Sequence, residues 1–160
     1  MAGIPAQVRW LVTDPLNPTI LYAGVRLGGV WRYDGVWHSI SSGALATSTV
    51  WAIAVDQQNS NRIFAGADTG VYRTTDGGIT WTQVLDKYIY SLAIDPRNSS
   101  IVYAGTRGDG IYRSYQGGSS GTWAKESGPP GNLSVYSLVI DNTCHILHAG
   151  TNSGVWQYGP

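Results

Sequence analysis

One pattern recurs four times along this chain, and a fourfold repeat constrains the fold more than any single motif. The copies run Val8–Trp37, Val50–Trp81, Ile89–Trp123 and Val135–Pro160. Each opens on an apolar stretch closed by an aspartate: Asp14, Asp56, Asp95 and Asp141. Each then reaches an Ala-Gly pair, whose glycines Gly24, Gly66, Gly105 and Gly150 are spaced by 42, 39 and 45 residues. Within a copy, short apolar runs of β-branched and aromatic residues alternate with Gly, Asn, Asp and Pro. In the second copy these are strands at 50–55, 62–66, 71–74 and 80–85, separated by turns at 56–61, 67–70 and 75–78.

A four-stranded antiparallel meander cannot bury both of its faces alone, so successive copies must stack about an axis. A repeat near 40–50 residues with four strands is that of a β-propeller blade. The expected fold is all-β, with four four-stranded blades at about 8–45, 46–88, 89–134 and 135–160. Composition agrees: charged residues are only 12%, and 21 glycines with 7 Trp and 10 Tyr take up the difference. The Ala-Gly pairs fall where adjacent sheets approach closely. The four aspartates close the inner strands, a placement that suits turn capping.

The segment Thr74-Thr75-Asp76-Gly77-Gly78-Ile79-Thr80-Trp81 fits the pattern Ser/Thr-x-Asp-x-Gly-x-Thr-Trp. Its aspartate accepts backbone N–H bonds inside the hairpin, glycine supplies a positive φ, and the tryptophan packs between blades. On this motif the chain resembles the Asp-box (BNR repeat) propellers, a group that includes sialidases, xyloglucanases, sortilin-type receptors and photosystem II assembly factors. The Asp-Pro-x-Asn and Tyr-Ala-Gly elements look nearest to the xyloglucanase and assembly-factor branch. The resemblance implies a structural, peripheral role for Thr74, Asp76, Gly78 and Trp81. The third copy has Gln116 in place of the aspartate, the first is shortened to Tyr33–Trp37, and the fourth ends before the motif.

Catalysis finds little footing. The Arg-Ile-Pro motif that a sialidase resemblance implies is absent, and Glu126 is the only glutamate. Arg32, Arg73 and Arg113 recur at one blade position and are expected to pair structurally across blades. A glycosidase needs two carboxylates, one with a raised pKa, and Asp68 with Asp109 is the pair that comes nearest. His38, His145 and His148 offer no metal spacing, and Cys144 reads as a small strand residue. No metal or cofactor is expected.

Ligands are expected at the face formed by the second-to-third-strand turns and the blade connections. There the candidates are Arg26, Asp68, Arg107, Asp109 and Asn152, with Arg9, Trp51, Tyr90 and Tyr136 at the mouth of the inner strands. Aromatic rings with polar rims suit a sugar chain or a peptide; equally, the same rings could plug the channel. The leading reading is therefore a non-catalytic scaffold for a protein, peptide or glycan. Its rivals are a glycoside hydrolase-like enzyme and a purely structural assembly unit. A net charge of zero without a basic run gives no reason to expect nucleic acid. No apolar stretch is long enough to span a membrane as a helix, and the compartment stays open.

Four blades are few for an Asp-box propeller. Residues 1–7 align with the outer-strand slot that the fourth copy lacks, and Pro5 suits an edge strand. The expectation is a homodimer completed head to tail into an eight-bladed ring. A four-bladed monomer and a fragment or engineered half-ring are the alternatives.

Overall fold

The computed structural model describes residues 3–4, 6–128, 133–141, 143 and 146–159. Cys144, His145, Pro5 and the first two residues of the expected closing strand lie outside the described residues. The architecture is all-β, in four antiparallel sheets that follow one another along the chain. The first blade holds β1 (Val8–Thr13), β2 (Leu21–Val25), β3 (Gly29–Tyr33) and β4 (Trp37–Ser39). A 3-10 turn at Gly43–Thr47 leads to the second: β5 (Val50–Asp56), β6 (Asn59–Ala67), β7 (Gly70–Thr74) and β8 (Thr82–Leu85). The third comprises β9 (Ile89–Ile94), β10 (Val102–Thr106), β11 (Ile111–Ser114) and β12 (Trp123–Lys125). Among the described residues the fourth has three strands: β13 (Val135–Ile140), β14 (Leu147–Thr151) and β15 (Gly154–Tyr158). Every sheet is a simple meander, so local hairpins build the whole fold.

Each hairpin between the second and third strands turns on a glycine at positive φ: Gly29, Gly70, Gly110 or Gly154. A side chain there would be strained, which explains why glycine returns at this place in every blade. The inner-strand aspartates cap the turns that follow them. Asp14 accepts the Leu16 and Asn17 N–H groups, and Asp95 those of Arg97 and Asn98. Asp56 accepts the Gln58 N–H and also holds Arg62, whose Nε lies 2.8 Å from its carboxylate.

The core lies between blades. Tyr22 and Val30 meet Ile53, Ile63 and Ala65 across the first seam. Phe64 and Val71 meet Ile89 and Ala104 across the second. Ile111 meets Val135, Leu138 and Ala149 across the third. Inner strands β1, β5, β9 and β13 stand side by side. At their aspartate ends Val12, Ala54, Leu92 and Ile140 line a cavity of 340 Å³.

The Thr74–Trp81 hairpin is tied by Asp76. Its carboxylate accepts the Thr80 N–H at 2.9 Å, the Thr80 hydroxyl at 2.6 Å and the Thr74 hydroxyl at 2.6 Å. Trp81 returns to the first seam, where its indole N–H donates to the Ile40 carbonyl of the neighbouring blade. Two of the recurring arginines differ from expectation. Arg32 pairs with Asp34 and Arg113 with Glu126, each inside its own blade. Asp34 lies two residues beyond Arg32, just past the end of β3, and the pairing of β11 with β12 brings Glu126 beside Arg113.

Candidate functional site

A run of touching aromatic rings crosses the inner-strand mouth. Trp51, Tyr90 and Tyr136 hold one position on β5, β9 and β13, and stacking the blades brings them together. Ring centroids lie 5.8 Å apart for Trp51 and Tyr90, nearly edge to face, and 5.4 Å apart for Tyr90 and Tyr136. Arg9, at the same position on β1, sets its guanidinium 5.0 Å from the Trp51 ring centre. All four inner strands thus contribute one side chain to the group.

Tyr88 is a further member that the repeat does not announce. Its ring is 5.3 Å from Tyr90 and 6.3 Å from Trp51, and the Arg107 guanidinium lies 5.1 Å over it. The matching residues in the other blades are Gln7, Thr49 and Ser134, so a search for repeated positions passes it by. Burial, then the neighbouring Tyr90, raises the Tyr88 pKa above its ordinary value, so its hydroxyl stays protonated at neutral pH. The surface therefore carries aromatic faces bounded by two cations, with Tyr136 more than half exposed at one end. Such a surface stacks on an apolar ring face and donates hydrogen bonds to its rim.

The turn residues have a different task. The residue before each inner strand offers its carbonyl to the backbone N–H of Arg26, Asp68, Arg107 or Asn152. In the second and fourth blades the side chain adds a return bond: Asp68 accepts the Thr49 N–H, and Asn152 that of Ser134, both at 3.1 Å. These two close a clasp between turn and blade connection. Arg26 stands exposed at the rim and Arg107 turns onto Tyr88.

Asp109 is the most heavily engaged carboxylate of the group. It pairs with Lys125 at 2.6 Å and Lys87 at 2.7 Å, and accepts the Tyr112 hydroxyl at 2.8 Å. The two lysines hold its pKa well below the usual carboxylate range. An acid so saturated has no proton to give at neutral pH. Among the described residues, no three His, Cys, Asp or Glu side chains converge to hold a metal ion.

No protein-family model matches the chain. It is 28% identical over 167 residues to the xyloglucanase Xgh74A of Acetivibrio thermocellus, covering 86% of this chain and 20% of that protein. Among solved structures it resembles an ancestral GH74 enzyme with a TM-score of 0.80 and 27% identity, over 97% of this chain and 23% of the other. It also resembles the computationally designed Ika4 protein with a TM-score of 0.71, over 98% of this chain and 93% of that one; at 17% identity this likeness is one of fold alone. The chain thus spans about a fifth of the xyloglucanase it matches, and its homologues are GH74 xyloglucanases of propeller type.

Proposed function

We propose that this chain is a non-catalytic glycan-binding propeller, which lays a β-glucan-type sugar chain across Trp51, Tyr88, Tyr90 and Tyr136. The carrying observation is the unbroken contact of those rings at one mouth, bounded by Arg9 and Arg107. Sugar rings have apolar faces that stack and hydroxyl edges that accept from guanidinium and phenol. Likeness to xyloglucanases supports a sugar over a peptide. We also read the Thr74–Trp81 hairpin as an Asp-box, a structural clip rather than a ligand site.

The same likeness favours a second reading, a glycoside hydrolase-like chain acting through Asp68 and Asp109. Against it stand the engagement of Asp109 with two lysines and of Asp68 with Thr49. Calorimetric titration with xyloglucan oligosaccharides, alongside a reducing-end assay, separates the readings. Saturable binding without release of reducing ends is expected, and Tyr90→Ala should weaken it about tenfold, the loss of one good aromatic contact. Release of reducing ends that Asp68→Asn abolishes would instead establish the hydrolase.

A further inference from the structure

The seams inside the chain share one device. A Cβ built on Gly24, Gly66 or Gly105 falls 2.9, 2.5 or 2.7 Å from the first side chain of the next inner strand: Val50, Ile89 or Val135. Each second-strand glycine is a socket, and each following apolar residue is the knob that fills it. In the third seam Ser91, the register partner of Gly105, also donates its hydroxyl to the Val135 carbonyl at 3.0 Å.

Both halves of this device stand open at the ends of the arc. Gly150 pairs in register with Ser137, as Gly105 pairs with Ser91, yet a Cβ there would meet only Ser137. Val8 holds the knob position on β1 and is 43% exposed, whereas Val50 and Ile89 are fully buried. Around the socket Val155 is 75% exposed where its counterparts Val30 and Val71 are fully buried. Beside the knob Leu11 is 57% exposed where its counterpart Ile53 is 3%.

We propose that a second copy of this chain covers both end faces, with Val8 and Leu11 of each copy seated against Ser137, Gly150 and Val155 of the other. The occupant is a copy of this chain because the open socket repeats the Ser-Gly pair that already holds Val135, and the open knob is another valine. None of these five positions is charged. The contact is head-to-tail, and two arcs of four blades give eight, the upper end of the usual propeller range.

Light scattering on a sizing column, run over a dilution series, tests this on the intact chain. Wild type should elute at twice the 17.2 kDa of one chain and hold that mass on dilution. Val8→Asp and Val155→Asp, on opposite faces, should each halve the mass while keeping a cooperative thermal transition. Val36→Asp, at an exposed outer turn, should leave the dimer intact. A monomeric wild type, an open-ended series of larger species, or a dimer indifferent to both face variants would overturn the proposal.

Discussion

Gly66 leaves open the space that Ile89 fills: a Cβ on Gly66 would come within 2.5 Å of the Ile89 Cγ2 atom. Gly66 lies at an ordinary strand φ, so the demand is for room and not for an unusual backbone. Ile89 is fully buried and has nowhere to withdraw. Gly66→Ala should therefore destabilise the chain by about 1–3 kcal/mol, the usual cost of overpacking. Pairing it with Ile89→Ala, which removes that Cγ2 methyl, should cost less than the sum of the two single variants, and urea unfolding of all three measures the coupling.

Arg62 joins two blades from one partly buried position. It pairs with Asp56, whose side chain is almost wholly buried, and donates to the Ser99 carbonyl of the third blade at 2.8 Å. Arg62→Leu would leave the Asp56 charge buried with the Gln58 N–H and little else. The expected loss is about 3 kcal/mol by urea unfolding. Arg62→Leu with Asp56→Asn should be milder, since no buried charge is then stranded.

Asp76 sets an acid limit on its hairpin. Hydrogen bonds from Thr74 and Thr80 hold its carboxyl at about 2, against an ordinary 3.8. Because the folded value is the lower one, this contribution to stability is complete above the ordinary carboxylate range. It is lost as pH falls from about 4 through about 2. Following the Asp76 carboxyl carbon by NMR should give a midpoint near 2, which Thr80→Ala should raise.

Much of this architecture was legible in the sequence because blades repeat local chemistry. The inner-strand aspartates cap turns, and the Ala-Gly pairs mark the close approach of sheets, as their places in the repeat require. Strand bounds in the second blade came within a few residues; β6 begins earlier than expected because Asp56 and Asn59 already pair across a tight turn. The repeat also brought Arg9, Trp51, Tyr90 and Tyr136 to one place. What it did not disclose rests on unrepeated residues. Tyr88 sits in a slot that holds Gln7, Thr49 and Ser134 elsewhere, and Lys87 and Lys125 reach Asp109 from a linker and an outer strand. Neither relationship has a period to follow. The pairing of Arg113 with Glu126 inside one blade likewise follows from the register of β11 and β12, which sequence spacing alone does not reveal.

The proposed binding of a sugar chain across the Trp51–Tyr136 rings predicts a local change at Trp51. Its most direct test is the set of tryptophan indole N–H signals in a two-dimensional NMR titration with a xyloglucan oligosaccharide. The Trp51 signal should move progressively and saturate, while that of Trp81, bonded to the Ile40 carbonyl away from the mouth, should stay in place. A titration that moves Trp81 and leaves Trp51 unchanged, or that moves neither, would rule out binding across these rings.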